Sequence, residues 1–128
     1  MAVKYDITVR ADRDFYLPIT VQTTLGNPAS LTSYIPVMTV KSTVNDPDAK
    51  ALFKSQPWAA NLPVGQFTFK IPRTTNNAWW VAPPSGSGAV STVIVYDVAM
   101  QDTAPVKNWV TLLEGGVTII PPVTRSIP

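Results

Sequence analysis

The sequence contains neither cysteine nor histidine. Without cysteine there is no disulfide scaffold and no thiolate nucleophile, and without either residue the common zinc sites cannot form. The lack of histidine also removes the imidazole that serves as general base in most hydrolytic triads and dyads. We therefore expect a protein that is not an enzyme and that holds no cofactor and no metal.

Charged residues are also scarce. They make up 14% of the 128 residues, against an average of roughly 25%. The net charge of +2 comes from ten Lys and Arg residues that are scattered along the chain, so no basic cluster indicates a nucleic-acid partner. A surface with so few charges is typical of a protein that packs against other proteins.

Long apolar runs are missing as well. No stretch approaches the roughly 20 apolar residues of a membrane span, and none resembles a signal peptide. A length of 128 residues is typical of one domain with a modest core. The sequence thus predicts a single soluble domain over residues 1–128, assembled in the cytoplasm and without a membrane partner.

Alternation of polar and apolar residues dominates the chain and indicates β-strands. The 13 prolines suit corners and sheet edges, where a missing backbone donor does no harm. Together these features favour an all-β, antiparallel β-sandwich of about seven strands. The strands are predicted over residues 4–10, 15–24, 34–44, 51–54, 65–71, 91–100 and 109–120. The last two form a hairpin, with a bulge expected at residues 114–116.

The alternation also predicts which side chains face the core, although for the strand over residues 34–44 either face fits. The positions expected to be largely buried are Tyr5, Ile7, Val9, Ile19, Phe67, Phe69, Ile94, Tyr96 and Val117. Two segments break the strand pattern. Residues 56–88 include an irregular, Trp- and Pro-rich insert in which a short helical turn fits within residues 74–88, and residues 121–128 form an extended tail.

Five segments, taken in order, resemble a family of small virion proteins of tailed bacteriophages. They are YDIT at 5–8, PASLTSY at 28–34, Met38 followed by Lys41, YDV at 96–98, and LLEGGVTIIPPVTR at 112–125. Two departures stand out, because Ser33 replaces the usual glycine of its corner and the insert at 56–88 has no counterpart. The resemblance implies an immunoglobulin-like sandwich in a tail, baseplate, fibre-attachment or head-surface position.

Aromatic and proline residues are the candidates for contact with a partner, because large aromatics are enriched at protein interfaces. Trp79 and Trp80 are adjacent, so on an extended chain one of them must face away from the core. Trp109 is expected to pack in the core. The predicted partner-binding residues are Trp58, Trp79, Trp80, Pro83, Pro84, Pro121, Pro122 and Arg125.

Acidic residues in turns raise the question of a calcium site, because carboxylates are the usual ligands of that ion. The candidates are Asp12, Asp14, Asp46 and Asp48. Aspartate in turns ordinarily bonds its own backbone, and neither pair has a full set of ligands. Glu114 has no second acid or base in the sequence pattern that would make it catalytic.

These observations predict a structural, non-catalytic subunit of a tailed-bacteriophage virion that binds neighbouring virion proteins. The expected position is the tail, the baseplate or the fibre-attachment region, as a homo-oligomer or symmetric ring assembled in the host cytoplasm. One alternative is a decoration or cement protein of the head. Another, from a different class, is a carbohydrate-binding module that recognises the host surface through exposed Trp and Tyr side chains.

Overall fold

The computed structural model describes residues 3–23, 25–42, 51–81, 92–103 and 108–120. Strands account for most of this part of the chain, and one helix accompanies them. The elements are β1 (Val3–Lys4), β2 (Ile7–Arg10), β3 (Phe15–Thr20), β4 (Tyr34–Lys41), β5 (Phe53–Ser55), β6 (Ala59–Asn61), β7 (Gln66–Ile71), α1 (Arg73–Val81), β8 (Thr92–Asp102) and β9 (Trp109–Ile120).

The strands form two sheets that pack face to face. In the six-stranded sheet, β1 and β2 both lie beside β9, followed by β8, β4 and β5. The three-stranded sheet has the order β3, β7, β6. Each inner face contributes the apolar side chains of its alternating pattern, as a two-layer sandwich requires. The predicted all-β sandwich is confirmed.

The N-terminal edge differs from the rest of the sheet in direction. β1 and β2 run parallel to β9, with Val3 opposite Leu113 and Ile7 opposite Val117, whereas the other described strand pairs are antiparallel. The two short strands share one register on β9, so they act as a single edge strand with an interruption at Tyr5 and Asp6. The first and last strands of the described chain are thereby joined.

The core lies between the sheets and follows the predicted alternation at most positions. Ile7, Val9, Phe67, Phe69, Ile94, Tyr96 and Val117 are buried, whereas Ile19 is only half-buried. The prediction for Tyr5 is wrong, since its side chain is 54% exposed. Val3, two residues earlier in the same register, is 60% exposed as well, so the covered part of this edge begins only at Ile7.

The hairpin of β8 and β9 is confirmed, but its irregularity lies elsewhere than predicted. Pairing is regular through Glu114, Gly115 and Gly116, and the register shifts where Val98 pairs Leu113 while Ala99 pairs Thr111. Leu112 is therefore the extra residue. Gly115 instead allows the N-terminal edge to pack closely on β9. A Cβ at this position would collide with the backbone of Tyr5 and come within 2.9 Å of the Asp6 carboxylate.

The segment predicted as an irregular insert is largely regular in its described part. It holds β6, a 3-10 turn at Leu62–Val64, β7 and the nine-residue helix α1. The helix begins just after Pro72, and the carboxylate of Asp14 accepts a hydrogen bond from the Arg73 backbone N–H at 2.7 Å. This side chain caps the helix from 59 residues away in sequence.

Candidate interaction surface

An exposed aromatic pair lies on the outer side of the three-stranded sheet. The rings of Tyr16 and Trp58 have centroids 5.2 Å apart and are tilted by 60°. Tyr16 is 44% exposed and Trp58 is 62% exposed. Lys70 completes this group, which we call the aromatic surface: Tyr16, Trp58 and Lys70.

The strands position these three side chains through their alternation. In β3, Leu17 faces the core while Tyr16 and Pro18 are exposed. Tyr16 lies directly opposite Lys70 of β7 in the antiparallel register, so both project from the same face. Trp58 precedes β6 and is held by a hydrogen bond from its backbone N–H to the carbonyl of Thr68, at 2.9 Å.

Lys70 is oriented by three neighbours at once. Its Nζ lies 5.8 Å from the centroid of Tyr16 and 5.8 Å from that of Trp58, within the range of a cation–π interaction. The same nitrogen is 3.9 Å from Asp14 Oδ2. Asp14 Oδ1 is fixed by the Arg73 backbone N–H. Lys70 Nζ, a hydrogen-bond donor, and Asp14 Oδ2, an acceptor, therefore lie side by side next to the two aromatic rings.

A second group of polar contacts joins the N-terminal edge to β8 and β9. The Tyr96 hydroxyl donates a hydrogen bond to the carbonyl of Tyr5, and the Gly116 backbone N–H donates one to Asp6 Oδ1 at 2.8 Å. The Tyr5 backbone N–H bonds the carbonyl of Glu114 at 2.9 Å. These bonds lock the interruption between β1 and β2 against Gly115 and Gly116.

This junction predicts a loss of stability at high pH. Burial, with smaller contributions from Tyr5 and Asp6, raises the pKa of Tyr96 to about 12. A raised pKa means that the folded state favours the neutral phenol, whose stabilisation is complete below the ordinary value near 10 and is lost as the pH rises through about 12. We expect unfolding free energy to fall between pH 10 and 12 by roughly 2–3 kcal/mol, measured by urea titration at each pH. The fall should be smaller in Tyr96→Phe, and an equal fall in that variant would contradict the assignment.

The outer face of the six-stranded sheet carries an open groove of mixed charge. Lys4, Lys41, Asp6, Asp97 and Glu114 line it. Asp6 is engaged by Gly116, and Lys41 and Asp97 also have interactions of their own. Among the described residues, no cluster of three acidic side chains is arranged to hold a metal ion. The groove is thus a solvated face of the sheet with both signs of charge.

Of the calcium candidates, Asp12 and Asp14 have protein partners instead. Asp12 lies 3.4 Å from Arg10, and Asp14 caps α1 and contacts Lys70. Asp46 and Asp48 lie outside the described residues.

The predicted partner-binding tryptophans have different positions. Trp58 is exposed, as expected of a contact residue. Trp79 is a core residue, 6% exposed, because α1 directs it inward, so in this domain it is not available to a partner. Trp109 is 49% exposed, which corrects its expected burial; it pairs with Gln101 at the end of the long hairpin.

The remaining predicted contacts cannot be placed. The side chain of Trp80 lies outside the part of the chain that the structure describes, and so do Pro83, Pro84, Pro121, Pro122 and Arg125. The sequence prediction missed Tyr16, Lys70 and Asp14. A signal for the first two was present, because Tyr16 and Lys70 occupy the outward positions of two clearly alternating strands.

Comparison with known proteins finds similarity among solved structures. No protein-family model matches the chain, and no curated protein matches it. Among solved structures, the N-terminal domain of phage TP901-1 ORF48 is similar, with 9% sequence identity, a TM-score of 0.43, and coverage of 92% of this chain and 85% of that chain. None of the described helices has the length and apolar character to cross a membrane.

Proposed function

We propose that the chain is a non-catalytic structural subunit of a tailed-bacteriophage virion, where it binds neighbouring virion proteins. The position proposed is the tail, the baseplate or the fibre-attachment region, with head decoration as the alternative position. The subunit acts as one member of a homo-oligomer or symmetric ring.

The observation that carries this proposal is the arrangement of the five segments that resemble phage virion proteins. YDIT spans the interruption after β1 and the first two residues of β2, YDV lies in β8, and the described part of LLEGGVTIIPPVTR lies in β9. Residues of these segments contact one another: the Tyr96 hydroxyl donates a hydrogen bond to the carbonyl of Tyr5, and Asp6 accepts one from the Gly116 backbone N–H. Three segments far apart in sequence therefore act as one structural unit.

The other two segments belong to the same sheet. PASLTSY forms the corner before β4, in which Leu31 is buried and its N–H bonds the carbonyl of Leu62 at 2.8 Å. Met38 is a core residue of β4, and Lys41 ends that strand. The resemblance thus covers most of the six-stranded sheet and the corner before β4, which supports kinship of that sheet with this class of protein.

The N-terminal edge is the surface that we assign to a neighbouring subunit. Among the described strands, β1 and β2 pair with β9 on one side only. Val3 and Tyr5 at this edge are 60% and 54% exposed. An edge strand offers unpaired backbone groups to a neighbour, and the exposed apolar side chains beside it add contact area.

The test is the composition of the particle. Virions of the phage that encodes the chain are purified on a density gradient, their heads and tails are separated, and the chain is quantified by mass spectrometry against the major tail protein. We expect a fixed copy number in the tail fraction. Finding the chain in the head fraction would favour the decoration protein, and its absence from purified virions would overturn the proposal.

A further inference from the structure

We propose that the aromatic surface is a binding site for a neutral saccharide, with Trp58 as the stacking platform and the Lys70–Asp14 pair as the polar contact. This inference concerns a second surface of the subunit. It does not require the virion position proposed above.

The platform is rigid and open. Trp58 is 62% exposed, although its backbone N–H is tied to Thr68 and its ring rests against Tyr16. One face of a pyranose ring carries polarised C–H groups, which are attracted to the electron-rich face of an aromatic ring and gain contact area there. Because the indole is already held in place, little side-chain entropy is lost on binding.

The polar pair stands beside the platform. Lys70 Nζ supplies N–H donors and Asp14 Oδ2 supplies an acceptor, 3.9 Å apart. Adjacent hydroxyls of a sugar can each donate and accept, so one hydroxyl can accept from Lys70 while the next donates to Asp14. Ligand sites in general combine mainly apolar walls with a few placed polar groups that fix the orientation of the ligand.

The same pair argues against other ligand classes. The Asp14 carboxylate lies 3.9 Å from Lys70 Nζ, so the charge of Lys70 is offset within the site, which disfavours an acidic peptide or a phosphate as the ligand. An apolar protein surface laid over it would remove both charges from water without replacing their hydrogen bonds, which is costly. An uncharged ligand that is rich in hydroxyls offsets the desolvation cost of Lys70 and Asp14, because it forms hydrogen bonds with both side chains while it covers the aromatic rings.

The location permits saccharide binding in an assembled particle. The aromatic surface lies on the outer face of the three-stranded sheet, whereas the edge assigned to a neighbouring subunit belongs to the other sheet. Contact through β1 and β2 therefore need not cover Trp58.

The experiment is a titration of the full chain with neutral trisaccharides of glucose, of galactose and of N-acetylglucosamine. Binding is followed by tryptophan fluorescence and by saturation-transfer NMR. We expect at least one of the three trisaccharides to bind saturably at concentrations up to about 50 mM, a range that includes dissociation constants in the millimolar range. Trp58→Ala should weaken it at least about tenfold, and Lys70→Met should weaken it about three- to tenfold, which corresponds to the loss of one hydrogen bond.

Trp109→Ala is the matched control, since it removes another exposed tryptophan from the other sheet and should leave the affinity unchanged. Circular dichroism establishes that each variant is folded. The proposal is overturned if none of the three trisaccharides binds, or if binding is lost in Trp109→Ala and retained in Trp58→Ala. Neither outcome bears on whether the chain is present in purified virions, so failure here is distinguishable from failure of the proposed function.

Discussion

Replacing Trp79 by Ala is expected to lower the free energy of unfolding by about 3–5 kcal/mol, the usual cost of removing a large buried aromatic side chain. Trp79 is 6% exposed and belongs to the main hydrophobic core. Its ring meets Phe53 edge-on, with centroids 6.3 Å apart and an interplanar angle of 87°. Trp79 is a side chain by which α1 contacts the core, so its loss leaves a cavity there.

Urea unfolding followed by circular dichroism measures this effect. The control is Trp58→Ala, which truncates the same residue type on the surface and should change stability by no more than about 1 kcal/mol. If Trp79→Ala were as stable as the parent chain while Trp58→Ala unfolded, the assignment of one tryptophan to the core and the other to the surface would be reversed.

Replacing Asn76 by Asp is expected to cost about 3 kcal/mol or more, although it changes the shape of the side chain hardly at all. Asn76 is fully buried. Its amide nitrogen donates to the carbonyl of Arg13 at 2.9 Å and to that of Ile71 at 3.3 Å, which ties α1 to the turn before β3 and to the end of β7. A carboxylate would set a buried negative charge against two carbonyl oxygens with no donor between them.

The neighbouring residue provides the control for this second prediction. Asn77 is exposed on the same helix, so Asn77→Asp changes the charge equally and should shift the unfolding free energy by less than about 0.5 kcal/mol. Part of the loss in Asn76→Asp should be regained at low pH, because a protonated carboxyl recovers one donor. Equal stability of the two variants at pH 7 would contradict the role of the Asn76 amide.

The strands could be predicted from sequence because alternation is a local signal. In β7, and in β8 over residues 94–98, buried residues alternate with more exposed ones, and the burial predicted for Phe67, Phe69 and Ile94 is confirmed. In β4 the local signal fails for a physical reason. Residues 36–40 are all buried, and apolar residues occur on both faces, so alternation does not identify the inward side.

The features that could not be predicted from the sequence depend on contacts between residues that are distant in the chain. The helix α1 takes its cap from Asp14, which no local pattern reveals, and it places Trp79 and Trp80 on a helix instead of the extended chain assumed for them. The parallel direction of β1 and β2 is set by their pairing with β9, more than 100 residues away. The aromatic surface likewise arises only when Tyr16, Trp58 and Lys70 meet across three segments.

Framework and surface are supplied by different parts of the chain. The segments that resemble phage virion proteins supply parts of β2, β4, β8 and β9 and the corner before β4, and they stabilise the N-terminal edge through Tyr5, Asp6 and Tyr96. The segment without a counterpart in that resemblance supplies Trp58 and Lys70. This division is what we expect if a shared scaffold carries a surface that is particular to this protein.

A reconstruction of the virion by electron cryomicroscopy tests the central claim most directly. The account predicts density for this two-sheet domain at a fixed position in the tail, with the edge formed by β1 and β2 against a neighbouring subunit and with Trp58 facing solvent. A virion without the domain would contradict the account, and so would one in which that edge faces solvent while Trp58 is covered by another protein.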